Sequence, residues 1–175
     1  MTMTFPATND VVEQFKNVFR AHPAGVAIIT AAGGDGDGAP AGLTASSVSS
    51  VSAQPPILAF SLASEIGSAG VVAHADTLVV HLLDAGHADL ASRFARPGRE
   101  RFTEDLQWSR LPTGEPLLAG IPRALRCRIL SRTPVGSSVL IAASVLEIVG
   151  DSSASEPLVY HNRTYHRLNG DSAIS

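Results

Sequence analysis

The sequence predicts a mainly β fold with three short helices, its strands forming an antiparallel closed barrel. Most of the 175 residues fall into strand-like stretches rich in Val, Ile, Leu and Thr, separated by Gly and Pro turns. There are about seven such stretches. The connections between them are too short for the repeated crossovers that a parallel sheet needs. This combination favours a barrel over a layered α/β sheet.

Composition indicates one domain covering 1–175, with a core at about 11–168 and a disordered tail at 169–175. Hydrophobic residues make up 45% of the chain and charged residues 17%, which excludes wholesale disorder. Aromatic residues make up only 5%, so Ala, Val, Leu and Ile must fill the core. A net charge of −3 provides no electrostatic footprint for nucleic acid.

Cysteine content and the N-terminus favour a cytoplasmic protein. The single cysteine, Cys127, cannot form an internal disulfide. It lies in an alternating strand pattern, which predicts a buried and inert thiol. The first six residues lack the basic and apolar regions of a secretion signal. No apolar segment reaches membrane-spanning length, so no membrane association is expected.

The first third of the chain predicts one helix followed by strands. Asn9 or Asp10 can cap a helix whose apolar residues recur at helical spacing, and His22-Pro23 ends it. The predicted elements that follow are a strand at 25–31, a hairpin loop at 33–38, a strand with its extension at 39–52, a break at 54–56 and a strand at 57–62.

The rest of the chain predicts two further helices and the strands that complete the sheet. The predicted elements are a helix at 66–75, a strand at 77–83, a helix at 87–94, an irregular region at 97–113, two long strands at 122–131 and 138–149 joined by a hairpin turn at 134–137, a turn at 152–155 and a closing pair at 156–160 and 164–168.

The stretch from Gly42 to Ser47 is the strongest candidate for a ligand site. It carries hydroxyls at Thr44, Ser46 and Ser47 where a strand normally has apolar residues. Small side chains allow a ligand to approach the backbone, and hydroxyls donate hydrogen bonds without adding charge. The alternative is a polar edge strand whose hydroxyls face water.

Other candidate sites have ordinary structural explanations. His161 and His166 could approach each other across a tight turn, but zinc needs three or four ligands and no acidic or cysteine partner is near in sequence. Arg93 could be a counter-charge for phosphate, although a surface ion pair with Asp89, four residues earlier, is the better interpretation. No nucleophile elbow or paired acid/base signature is present.

Several segments, taken together and in order, resemble the flavin reductase family with the FMN-binding split barrel. No single segment is decisive, but their order and spacing are specific, and they span about 11–168. They are FRAHPAGVAIIT at 19–30, GLTASSV at 42–48, SVS at 50–52, PP at 55–56, SL at 61–62, ASRFA at 91–95, RF at 101–102 and YHNRTYH at 160–166.

The resemblance implies a Greek-key split β-barrel and an NAD(P)H:flavin oxidoreductase. Such an enzyme uses FMN or FAD with NADH or NADPH, and supplies reduced flavin to a partner monooxygenase. The family binds its flavin at a homodimer interface. Hydride transfer between two flat rings needs no protein acid or base, so no catalytic residue is predicted. The alternative is a non-catalytic flavin carrier or sensor on the same fold.

The resemblance also assigns roles to individual residues. Ile66 and His81 depart from the family pattern, where Ser or Thr and Asn are common. The implied flavin-binding residues are Pro40, Ala41, Gly42, Leu43, Thr44, Ser46, Ser47, Ser61, Leu62, Ala63, Arg93 and Phe94, with Gly67 and Ser68 at the phosphate and His161 and Tyr165 bordering the nicotinamide.

Overall fold

A computed structural model describes residues 9–33, 38–98, 100–150 and 155–174. Its elements are α1 Asn9–Arg20, β1 Ala24–Gly25, β2 Ala27–Ala32, β3 Pro40–Ala45, β4 Ser49–Ala53, β5 Pro56–Leu62, α2 Ser68–His74, β6 Thr77–Leu82, α3 Ala88–Ala95, β7 Trp108–Arg110, β8 Pro116–Leu118, β9 Arg123–Val135, β10 Ser138–Val149, β11 Leu158–His161 and β12 Thr164–Arg167, with 3-10 turns at Ala85–His87 and Gly170–Ser172.

The largest sheet has seven antiparallel strands in the order β3-β2-β6-β9-β10-β5-β4. Its two edge strands, β3 and β4, are consecutive in the chain, and only residues 46–48 connect them. A flat sheet would separate these edges by six strand spacings, roughly 29 Å. Four residue steps span at most about 14 Å. The sheet must therefore curl until its edges come close, as a split barrel requires.

Two apolar clusters form the core. The larger lies inside the curled sheet and includes Phe60, Leu78 and Ile141, none of them exposed. The smaller lies outside it, where Phe94 of α3 packs with Leu118 of β8 and Leu158 of β11. This second cluster fixes α3 and the β7–β8 hairpin against the outer face of the sheet. α3 thereby adjoins β3, and β8 adjoins β2 and β6.

The structure confirms the mainly β, antiparallel fold and the three helices. Several boundaries were wrong. The stretch 39–52 is two strands on opposite edges of the sheet, the first long strand continues to Val135, and the second helix is the shorter span Ser68–His74. The described residues form twelve strands instead of about seven, because short pairs such as β7–β8, inside the supposedly irregular region 97–113, depend on tertiary packing.

Cys127 is fully buried, and burial raises the pKa of its thiol to about 12, which confirms an inert cysteine. The 3-10 turn at Gly170–Ser172 lies in the segment expected to be a disordered tail. Most of the predicted turns at 33–38 and 152–155 lies outside the described residues. Of the helices in the described part of the chain, none is both long and apolar enough to cross a bilayer.

Candidate functional site

Three cavities lie along β3 and the link that follows it. The Arg101 cleft, about 300 Å³, is lined by residues 39–42, Ser68 and residues 100–102. The Tyr165 pocket, about 200 Å³, is lined by Val26, Thr44, Ser46, Ala95, Tyr160 and Tyr165. The Arg163 groove, about 860 Å³, runs from residues 46–49 to the end of α1 and to Arg163. The Tyr165 pocket and the Arg163 groove share Ser46 and Tyr160, whereas the Arg101 cleft lies at the other end of β3.

Gly42 owes its identity to packing within the protein. A Cβ at this position would lie 2.6 Å from Cε1 of Phe94 and 3.2 Å from Cγ2 of Thr30. The Phe94 ring is itself fully buried and packs edge-on against Phe102, with ring centroids 5.4 Å apart. The Phe94 ring therefore lies within the protein, and a flavin contact at this position stays a prediction. The ring supports β3 from behind.

The three hydroxyls of the stretch have different environments. Thr44 Oγ1 donates to the Ala91 carbonyl at 2.6 Å and so ties β3 to α3. Ser47 Oγ accepts from the Ser61 N–H at 3.0 Å, which ties the link to the end of β5. Among the described residues, the exposed Ser46 hydroxyl has no hydrogen-bond partner. Ser46 lines both the Tyr165 pocket and the Arg163 groove, so its hydroxyl is available to a ligand.

The Arg101 cleft combines a cation with the start of a helix. Arg101 donates to the Ser68 hydroxyl, and its Nε and Nη2 donate to the carbonyls of Phe94 and Arg96 at 3.1 and 3.0 Å. Burial lowers the pKa of the Arg101 guanidinium, which still remains charged at neutral pH. Gly67, with a φ of 61°, precedes the first residue of α2. This arrangement suits an anionic group.

The strand pair β11–β12 separates the two residues assigned to the nicotinamide. Tyr160 pairs directly with Tyr165, so both rings lie on one face, 5.2 Å apart. Strand alternation places His161 on the opposite face, where its ring lies 5.6 Å from His166. Tyr165 therefore lines the pocket, and His161 does not. Burial raises the pKa of the Tyr165 phenol, while its hydrogen bond with Ser92 acts in the other direction.

Arg93 has a different partner from the one predicted. Its Nη1 lies 2.7 Å from Oδ2 of Asp105, its Nη2 also donates to Thr103, and Asp89 takes no part. The hydrogen bond from Arg93 lowers the pKa of the Asp105 carboxyl to about 2. Arg93 therefore holds the loop after α3.

The remaining assigned residues lie at the edges of the site. Ser61 and Ala63 are exposed at the end of β5, and Ser61 also lines the Arg163 groove, whereas Leu62 points into the core. Ile66 is 85% exposed, and as an isoleucine it offers no hydroxyl to a ligand. His161 and His166 lie close together without a third possible metal ligand, since the described residues contain no cluster of three such side chains.

His81, the second departure from the family pattern, is a core residue. It is fully buried, Nδ1 lies 3.2 Å from the Ile28 carbonyl, and Nε2 accepts the Leu118 N–H at 3.0 Å. A neutral imidazole protonated at Nδ1 satisfies both bonds. His81 thus anchors β8 to the sheet and does not line the three cavities.

Sequence reasoning assigned no ligand role to Tyr160, Arg163 and Arg20, and it included Arg101 only in the RF segment at 101–102. Each contributes through its position beside a distant element, which spacing along the chain does not reveal. A partial signal existed at Arg163, because a tight turn between two strands normally places glycine there. A bulky cation at such a position merits attention.

Comparison with known proteins identifies close relatives. Residues 19–169 match the family model described as flavin reductase like domain. The chain is 39% identical over 156 residues to an NADH:FMN oxidoreductase of Rhodococcus qingshengii, covering 87% of this chain and 80% of that protein. It is 36% identical to the FMN reductase (NADH) RutF of Ancylobacter novellus, covering 90% and 86%.

A solved structure agrees with the sequence relatives. The flavin reductase domain protein of Arthrobacter sp. FB24 superposes with a TM-score of 0.81 at 36% identity, covering 90% of this chain and 96% of that one. The similarity therefore extends over nearly the whole fold.

Proposed function

Because this chain belongs to the flavin reductase like domain family, we propose that it is an NAD(P)H-dependent flavin reductase that uses FMN or FAD. The observation that carries the proposal is the row of cavities along β3. One end offers the Arg101 guanidinium, and the middle offers, beside Tyr165, the Ser46 hydroxyl, which has no hydrogen-bond partner among the described residues. A flavin mononucleotide has the matching chemistry, with a phosphate at one end and a polar flat ring at the other.

The residues present fit a flavin. Arg101 and Ser68 supply donors for a phosphate, and the backbone at Pro40 and Ala41 lines the same cleft. Farther along β3, small side chains and the Ser46 hydroxyl can adjoin a flat ring without steric conflict. We propose that Thr44 contributes mainly through backbone and methyl contacts, because its hydroxyl proton is already given to Ala91.

For hydride transfer, the protein mainly has to position the two rings. When bound, flavin supplies N5 as the acceptor of the hydride from nicotinamide C4. Tyr160, Tyr165 and Val26 provide the walls that hold two rings in contact and exclude water. The Tyr165 phenol, whose pKa is raised by burial, stays neutral and adds no charge beside the rings. No side chain is required to move a proton at the step of hydride transfer.

We propose that the functional form is a homodimer. No residue of α1 is buried, and Phe15 and Phe19 on its apolar face are 61% and 57% exposed. A helix of 12 residues is marginal in water without tertiary packing. A second copy would cover this face, because the chain's own core leaves it uncovered. A monomeric mass in sedimentation at micromolar concentration, with flavin present, would contradict this assembly.

We further propose that reduced flavin passes to a separate monooxygenase in the cytoplasm. The open site supports this, since Ser46, Ser61 and Ala63 along its border are all exposed. A product able to leave such a site can serve an enzyme in trans.

The activity is tested by following nucleotide oxidation at 340 nm with and without added flavin. We expect oxidation of NADH, NADPH or both that depends on FMN or FAD, with electrons passing to oxygen or cytochrome c. A protein that binds flavin but oxidises neither nucleotide would be a flavin carrier, and the enzymatic proposal would be rejected.

A further inference from the structure

The Arg163 groove has a charge opposite to that of the whole chain. Its described lining includes Lys16, Arg20, His22 and Arg163 and contains no carboxylate, although the protein carries a net charge of −3. The lining also includes Ser46, Ser47 and Ser49, which add hydroxyls. A groove lined by cations and hydroxyls favours a phosphorylated ligand.

Arg163 occupies a backbone position that disfavours it. Asn162 and Arg163 form the two-residue turn between β11 and β12, with φ values of 49° and 64°. Such turns favour glycine, because a Cβ crowds the backbone in the left-handed region. The chain nevertheless has arginine at this position, and its side chain lines the groove. The requirements of the turn therefore do not explain why position 163 is an arginine.

The turn is fixed to the end of α1. The Asn162 N–H donates to the Arg20 carbonyl at 2.9 Å, and β1, just after α1, pairs with β11 through Ala24 and Tyr160. Both arginines are thereby held beside the same groove. Within the described residues neither forms an ion pair, whereas the Lys16 amine is 2.7 Å from Glu13. Two guanidinium groups thus remain available for an external anion.

The groove continues into the Tyr165 pocket. Ser46 and Tyr160 line both cavities, so a molecule whose ring lies against Tyr165 can extend over Ser46 towards Arg163. The flavin phosphate has its own candidate site in the Arg101 cleft, which adjoins the opposite end of β3. A volume of about 860 Å³ is within the range of pockets for ligands of this size.

We propose that the Arg163 groove binds the phosphate-bearing part of NAD(P)H, with Arg163 and Arg20 as the residues that contact its phosphates. The inference rests on the proposed reductase activity and extends it to the nucleotide substrate. It assigns these two arginines to substrate binding and to no step of hydride transfer.

Steady-state kinetics with Arg163→Gly and Arg163→Lys test the proposal. Glycine suits the turn, so the fold should be retained, and lysine restores the charge. With saturating FMN we expect Arg163→Gly to raise KM for the nucleotide about tenfold through loss of a charge-assisted bond, with kcat nearly unchanged. Arg163→Lys should recover part of the loss, and Arg20→Gln should act in the same direction.

Arg128→Gln is the matched control. This substitution also removes one positive charge, but Arg128 is exposed on β9 and does not line the groove. It should leave every constant unchanged. A KM increase for NADPH alone would identify the 2′-phosphate as the contact, and an increase for both nucleotides would identify the pyrophosphate. Unchanged KM in Arg163→Gly, or weaker FMN binding with unchanged nucleotide KM, would overturn the proposal.

Calorimetric titration with ADP-ribose separates this inference from the proposed activity. ADP-ribose carries the pyrophosphate without a nicotinamide, so its binding does not depend on turnover. Binding to the wild-type protein that is lost in Arg163→Gly supports the groove even if no nucleotide is oxidised. The same titration with 2′-phospho-ADP-ribose covers a contact to the 2′-phosphate of NADPH. Equal binding of both ligands to the two proteins, or no binding of either ligand, refutes the proposal whatever the activity.

Discussion

Ser46 and Ser47 provide a matched pair of substitutions that separates ligand binding from structure. The two hydroxyls are adjacent in sequence and both residues are exposed. Ser47 Oγ is engaged by the Ser61 backbone, whereas Ser46 has no partner in the described part of the chain. Removing one oxygen at each position should therefore affect different quantities.

Ser46→Ala should weaken flavin binding by about 0.5–1.5 kcal/mol, the value of one neutral hydrogen bond. This corresponds to a roughly 2- to 13-fold higher Kd. The melting temperature of the flavin-free protein should not change, because no internal bond is lost. Ser47→Ala should instead cost stability of about 0.5 kcal/mol, since water can replace the acceptor of the exposed Ser61 N–H. That is a decrease of about 1–2 °C in Tm for a domain of this size.

Flavin titration by fluorescence quenching, alongside thermal melts without flavin, measures both quantities. Unchanged flavin affinity in Ser46→Ala would refute the assignment of this hydroxyl to the ligand. A loss of affinity in Ser47→Ala equal to that in Ser46→Ala would show that Ser47 exchanges Ser61 for the flavin on binding.

Three further substitutions test the surrounding structure. Gly42→Ala should destabilise the flavin-free protein by about 1–3 kcal/mol through its clash with Phe94, seen as a lower Tm; an unchanged Tm would show that the ring moves freely. Burial lowers the pKa of His81 to about 4, so between pH 6.5 and 4 the folded state binds fewer protons than the unfolded state. The free energy of unfolding should therefore decrease as the pH is lowered through this range, by up to about 3 kcal/mol. Urea titrations of the wild-type protein at pH 7 and 4.5 should show this decrease, and His81→Asn should show a smaller one. Arg101→Gln should raise the Kd for FMN at least about tenfold while leaving that for riboflavin, which lacks the phosphate, nearly unchanged; equal losses would place the phosphate elsewhere.

The residue types of the stretch at 42–47 pointed to the sheet edge along which the three cavities lie, but not to the hydrogen bonds that each residue makes. Thr44 bonds a carbonyl 47 positions away, and Ser47 bonds a backbone group 14 positions away. Arg93 prefers Asp105, 12 positions on, to Asp89 one helical turn away. Hydroxyl and guanidinium groups form hydrogen bonds with the groups that the fold places next to them. The spacing of residues along the chain does not reveal which groups these are.

The sequence by itself determined the fold class, the three helices, the inert cysteine and the family, because these depend on local patterns of apolar residues, turns and ordered motifs. Only the tertiary structure decided which faces the side chains occupy. The register of β11 and β12 places Tyr165 in the pocket and His161 on the opposite face. Packing of α3 buries Phe94 behind Gly42, and the contact of Asn162 with Arg20 brings two arginines to one groove. The physical reason is that strand register and helix docking are set by contacts between distant segments. A shift of one residue in register would exchange the two faces.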